Sequence, residues 1–201
     1  MKVKNARFVL SAVRHQDLVA DGRPQVAFVG RSNVGKSSLL NRLVGRRALA
    51  KISSNPGKTR AVNYFDIDSK FYFVDLPGFG YAKAARTERQ AWAELMDSYF
   101  RTTRPRPLVI QLVDAKVGAT PLDVQAMDYL RSQGCEPVVV ATKIDRISRS
   151  RRQRQLADIS QALSPGSTTM PTPCSSKTGE GVKDIWKGIY AFLQESAEMA
   201  N

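Results

Sequence analysis

Gly30-Arg31-Ser32-Asn33-Val34-Gly35-Lys36-Ser37 sets two glycines, a lysine and a hydroxyl at the spacing G-x-x-x-x-G-K-[ST]. Residues of these types at this spacing can hold a chain of phosphates. Gly30 and Gly35 let the backbone take conformations that a Cβ would obstruct. The loop can then turn the N–H groups of Arg31, Ser32, Asn33 and Val34 inward as a nest for anionic oxygens. Lys36 would reach the β- and γ-phosphates. The hydroxyl of Ser37 would serve Mg²⁺, which prefers hard oxygen ligands. Ser38, next in the chain, is a further expected nucleotide contact. Further along, Asp75-Leu76-Pro77-Gly78 reads as D-x-x-G. An aspartate at a strand end can hold Mg²⁺, directly or through water, and the N–H of Gly78 could meet a γ-phosphate. D-x-P-G on its own is a common turn.

Thr142-Lys143-Ile144-Asp145 is more selective. The carboxylate of Asp145 can accept from both N1–H and the N2 amine of guanine, and adenine offers neither. A site built around those two donors rejects the base that lacks them, because its charge would be left unpaired. Lys143 can lay its aliphatic stem along the base. Ser175-Ser176-Lys177 can supply backbone N–H to the guanine O6. A lone T-K-x-D is more often a turn at a strand end; its place in an ordered series of motifs is what gives it weight.

These residues need elements to position them. Val26-Ala27-Phe28-Val29 before the glycine loop reads as a buried strand, and the segment from Lys36 to Gly45 as an amphipathic helix with a glycine C-cap. That is the arrangement a P-loop requires. Residues 46–60 are polar and turn-rich and read as a loop. Val62–Asp68 and Phe71–Asp75 read as two strands of a hairpin around Ser69-Lys70. Further strands are expected at 107–114, 137–141 and 169–173. Helices are expected at 87–100, 121–133, 148–163 and 182–195. Strands alternating with helices imply a mostly parallel sheet covered on both faces, with ligands at the carboxyl ends of its strands. The fold expected is α/β and three-layered, with six strands, one of them antiparallel. Residues 1–24 read as an N-terminal arm or strand, 25–195 as one domain and 196–201 as a tail.

Composition narrows the class. The chain has 201 residues, enough for one sizeable α/β domain. No apolar run approaches the ~20 residues of a membrane span. Cys135 and Cys174 lie far apart and His15 is the only histidine, which speaks against a zinc site or a disulfide framework. A reducing cytoplasm is the expected compartment. A net charge of +13 suggests a polyanionic partner, nucleic acid first. Arg146, Arg149, Arg151, Arg152 and Arg154, with Arg101, Arg104 and Arg106, are the candidates to meet its phosphates, against the plainer reading of a solvated helix face.

Taken together, these motifs resemble those of the EngB (YihA/YsxC) family of bacterial ribosome-assembly GTPases, within the translation-factor class of P-loop GTPases. Gly30 to Ser38, Asn55-Pro56-Gly57-Lys58-Thr59 with Asn63-Tyr64-Phe65, Asp75 to Lys83, and Thr142 to Asp145 carry the resemblance. It implies the small G-protein fold and binding of GTP and GDP with Mg²⁺. It makes Thr59 the second Mg²⁺ ligand, beside Ser37 and a water-mediated Asp75. It implies nucleotide contacts from Gly57, Lys58, Thr59, Arg60 and Ala61, from Asp75, Leu76, Pro77 and Gly78, from Thr142 to Asp145, and from Cys174, Ser175 and Ser176. It also implies association with the large ribosomal subunit, its rRNA and its proteins, during assembly, and a link to cell division and septation. No membrane association and a monomer are expected.

Lys36, Thr59, Gly78 and Asn33 are the residues expected to act in hydrolysis. Many switch GTPases carry a glutamine just after D-x-x-G to orient the attacking water. Here that place is Phe79, so slow intrinsic turnover is expected. Related GTPases with asparagine at the place of Asn33 can bind K⁺ beside the phosphates, which makes K⁺ a further candidate; the alternative is a side chain that only stabilises the loop. Two other readings compete. One is a metabolic P-loop kinase, which would need a lid and an acceptor pocket. The other is an RNA-binding module that holds nucleotide only structurally, which measured turnover would separate.

Overall fold

The computed structural model of the chain describes residues 3–46, 49–50, 61–78 and 86–199. Strand β1 (Ala6–Ala12) leads to β2 (Gln25–Val29) and helix α1 (Lys36–Val44). The hairpin β3 (Val62–Ile67) and β4 (Phe71–Asp75) follows, then α2 (Arg86–Thr102), β5 (Leu108–Asp114) and α3 (Pro121–Ser132). The chain continues through β6 (Val138–Thr142), α4 (Arg149–Leu163), β7 (Thr172–Pro173) and α5 (Val182–Glu198). Helix α5 runs three residues beyond the expected end and buries Ser196.

The strands form one sheet in the order β1-β3-β4-β2-β5-β6-β7. Only β3 runs against the others. The sheet therefore has seven strands, not the expected six, because the N-terminal segment is a full edge strand on β3. Its pairing is broken by a bulge between Phe8 and Leu10.

The hairpin also turns one residue earlier than the pattern suggests. Asp68 and Ser69, with φ 53° and 57°, occupy the two left-handed positions. Lys70 N–H donates to the Ile67 carbonyl at 3.0 Å. The buried Asp66 carboxylate accepts from Ser69 N–H at 2.8 Å and fixes this choice.

Alternation in the central strands separates two core layers. Val26 and Phe28 of β2 pack with Leu39 and Leu40 of α1 and Ile185 and Ile189 of α5. Ala27 and Val29 face the other way, toward Leu95, Met96 and Tyr99 of α2. Helices α3 and α4 close the same side further along, around Met127, Ile159 and Leu163. Burying a side chain of this size stabilises the fold by about 1.5–3 kcal/mol each. The consequence for function is positional: Gly30, Asp75, Asp114, Thr142 and Cys174 all stand at carboxyl ends of strands along one edge of the sheet.

Candidate functional site

The loop after β2 delivers the chain into α1 through Gly35, whose φ of 108° suits glycine. No side chain caps α1, and its first turn carries no acidic residue. The free N–H groups and positive end of the helix are thus left for an anion. Lys36 donates to the Leu76 carbonyl at 2.8 Å, and its Nζ lies 2.8 Å from Asp75 Oδ1. That oxygen is buried and, despite the ion pair, makes no hydrogen bond. Among the described residues none engages the Ser37 hydroxyl either. A carboxylate oxygen and a hydroxyl, both with unspent lone pairs, fit Mg²⁺, a hard cation that takes its other ligands from phosphates and water. Gly78 presses against the glycine loop: a Cβ there would stand 2.8 Å from the Gly30 carbonyl oxygen.

The end of β6 is clamped to the same loop. The Thr142 hydroxyl lies 2.7 Å from the Val34 carbonyl oxygen and 3.1 Å from that of Val113. Lys143, in a left-handed conformation (φ 58°), donates to the Asn33 carbonyl and to Asp114 Oδ2, both at 2.6 Å. Two successive carbonyls of the phosphate loop are therefore held by two successive residues of the guanine motif. Asp114, 8% exposed, also accepts from Lys116 N–H at 3.0 Å and so keeps its carboxylate aimed at Lys143. On the other side of the loop, Arg31 Nε lies 3.1 Å from Asp123 Oδ2, and Asp123 is 1% exposed.

A cavity of about 960 Å³ opens beside this clamp, lined among others by Gly35, Ser38, Lys143, Asp145, Ser176 and Lys177. The Asp145 carboxylate is half-buried and, among the described residues, engaged in no hydrogen bond or ion pair. Three expected contact residues are placed otherwise. Ile144 is fully buried, and its N–H donates to the Cys174 carbonyl. The N–H groups of Cys174 and Ser175 donate to Ala141 and Glu180 carbonyls at 2.8 and 3.0 Å. Both residues lie buried beneath the loop, while the amides of Ser176 and Lys177 make no hydrogen bond among the described residues. Burial, with Glu180 and Asp145 nearby, pushes the Cys174 thiol up to about 11 against the opposing effect of Arg42, so it is neutral near pH 7.

Leu76 and Pro77 are buried behind Asp75, and Ala61 stands just before β3. Gly57, Lys58, Thr59, Arg60 and Phe79 lie outside the described residues. Sequence reasoning missed Asp114 and Asp123. Each carried a signal: Asp114 ends a buried strand as Asp75 does, and Asp123 closes the T-x-x-D capping box with Thr120 at the start of α3.

Residues 25–143 match the family model described as 50S ribosome-binding GTPase, and residues 94–195 match that of the elongation factor Tu GTP binding domain. A probable GTP-binding protein EngB of Exiguobacterium sibiricum is 44% identical over 96% of this chain and 100% of its own length. Its counterpart in Pelotomaculum thermopropionicum is 46% identical over 94% and 96%. The chain belongs to the EngB family of GTPases. A solved structure of a probable GTP-binding protein EngB superposes with a TM-score of 0.68 at 22% identity, covering 85% of this chain and 99% of that one, so the two share a fold. Era, solved with MgGDPNP and nucleotides 1506–1542 of 16S ribosomal RNA, is 26% identical with a TM-score of 0.67 over 85% of this chain and 57% of Era.

Proposed function

We propose that the protein is a slow, Mg²⁺-dependent GTPase switch that acts in the cytoplasm, as a monomer, in assembly of the large (50S) ribosomal subunit, and is needed for normal division and septation. The observation that carries the reading is the clamp between guanine motif and phosphate loop. Asp145, unpaired among the described residues, stands at the rim of a cavity whose other wall is the uncapped end of α1. One ligand with a guanine at one end and phosphates at the other suits both. The ribosomal half of the reading is supported by the matched family description and by the net charge of +13. Residues 25–195 act as the GTP-binding domain. Ser37, Thr59 and, through water, Asp75 hold the Mg²⁺, which neutralises charge on the β- and γ-phosphates when bound.

Lys36 leaves Asp75 for the phosphates, and Gly78 follows the γ-phosphate by its N–H. With Phe79 in place of a water-orienting glutamine, positioning is incomplete in the free protein. Asn33, exposed and left-handed, would bring K⁺ beside the phosphates. The test is co-sedimentation with separated ribosomal subunits in GDP or a non-hydrolysable GTP analogue. Binding to large subunits that is stronger with the analogue is expected. Equal partition between subunits, or none with either nucleotide, would overturn the ribosomal reading.

A further inference from the structure

The arginines of this chain divide by what already occupies them. Arg104 donates to the Phe100 and Thr103 carbonyls, and Arg106 to those of Gln133 and Gly134, so both finish helix ends at the start of β5. Arg131 is taken by Glu136 and Ser164. Arg7 and Arg23 are taken by Asp66, and Arg31 by Asp123. Among the arginines whose side chains are described, Arg101, Arg146, Arg149, Arg151 and Arg154 are those whose guanidinium makes no hydrogen bond or ion pair. All but Arg101 fall in one run from the turn before α4 into its first two turns, and all four are exposed.

Helix stability does not explain the run. Cations at a helix N-terminus oppose its dipole. The first turn of α4 contains no acidic residue, and no side chain caps it. No acidic residue intervenes between Asp145 and Asp158. The run is also rigidly mounted. Arg152, between the free arginines, donates to the Ile147 carbonyl and, at 2.7 Å, to Glu180 of the loop that bears Ser176 and Lys177.

We propose that Arg146, Arg149, Arg151 and Arg154 form the contact surface for RNA backbone phosphates, on the guanine side of the nucleotide cavity. This rests on the reading of the protein as a ribosome-binding GTPase. RNA fits better than an acidic protein or a membrane. The residues interleaved on the exposed arc, Ser150 and Gln153, are polar, and no exposed large apolar side chain lies among them to bury. Arg101, Arg104 and Arg106 precede β5, at the opposite end of the sheet, and are not part of this surface.

The experiment compares the full chain with the triple variant Arg149→Gln, Arg151→Gln, Arg154→Gln. Binding to purified large subunits and to protein-free large-subunit rRNA is measured across a salt series, with GDP affinity alongside. The variant is expected to bind both at least tenfold more weakly, with unchanged GDP affinity. Its slope of log affinity against log salt should be shallower by about 2–3, since each lost phosphate contact removes 0.7–0.9. Wild-type affinity and slope in the variant would overturn the surface while leaving the ribosomal reading intact. A loss on subunits without a loss on bare rRNA would make the partner an acidic ribosomal protein and overturn the RNA assignment. Failure of the unaltered protein to bind large subunits would overturn the ribosomal reading itself, and this proposal with it.

Discussion

In the proposed function a single carboxylate, Asp145, chooses the base, and it has no partner among the described residues. Asp145→Asn keeps the size and turns one acceptor into a donor facing the guanine amine. GTP affinity should fall at least tenfold, and xanthine nucleotide, with an acceptor at position 2, should gain; isothermal calorimetry with both ligands checks this. Asp114 acts one step removed, by holding Lys143 against the Asn33 carbonyl. Asp114→Asn should weaken GDP and GTP alike, by about 1–3 kcal/mol, since it loosens a charged hydrogen bond that serves both states. A change confined to GTP would mean that Asp114 does something else. Gly78→Ala should behave in the opposite way. Its Cβ would stand 2.8 Å from the Gly30 carbonyl oxygen and push the Gly78 N–H off its proposed γ-phosphate contact, so stopped-flow binding should show analogue affinity falling more than GDP affinity. At this scale the motif residues were legible because their chemistry is local. Cys174, Ser175 and Ile144 were not separable from their neighbours, because the Cys174 and Ile144 amides are spent on pairings between segments about 30 residues apart, with Ala141 and Cys174, and the Ser175 amide on Glu180 across its own loop.

Elements were legible to within a few residues wherever a periodic apolar pattern ran into a glycine or a proline. Helix α1, ending at Gly45 with φ 67°, and α3, starting at Pro121, are examples. The hairpin turn was misplaced by one residue because its decisive feature is a buried side chain, Asp66, rather than turn propensity. Burial pushes the Asp66 carboxyl upward, but the Arg7 hydrogen bond, the Ser69 amide and the charges of Arg23 and Arg7 outweigh it and hold it below the usual range. A carboxyl depressed in the folded state contributes stability above its unfolded pKa, near 3.9, and loses it as pH falls through the folded value. The hairpin and β1 should therefore loosen in acid. Asp66→Asn should lower stability at pH 7 by about 1–3 kcal/mol, and the difference from the unaltered protein should shrink below about pH 4. Urea midpoints at pH 7 and pH 3 read both.

At the scale of the whole molecule, strands alternating with helices were enough to place the glycine loop, D-x-x-G and T-K-x-D motifs on one edge of a mostly parallel sheet. The seventh strand was the ambiguous part, since β1 has no crossover helix and only its antiparallel partner reveals it. The proposed incompleteness of the catalytic site belongs to this scale too. Turnover in K⁺ should exceed turnover in Na⁺ at matched ionic strength, and large subunits should raise it further; fast turnover in Na⁺ alone would show a site already complete. The same edge strand has a consequence for biogenesis. Ala6 pairs with Ile67 and Ala12 with Val62, so the partner of β1 is made about 50–60 residues after it. At 5–20 residues per second, β1 waits roughly 3–12 s during synthesis with its apolar side chains, Phe8 and Leu10 among them, lacking their sheet. Chains arrested on the translating ribosome before residue 62 should be cut readily within residues 6–12 and recruit holdase chaperones. Those extended past β4 should do neither, so the hairpin acts as the event that ends the nascent chain's vulnerable interval.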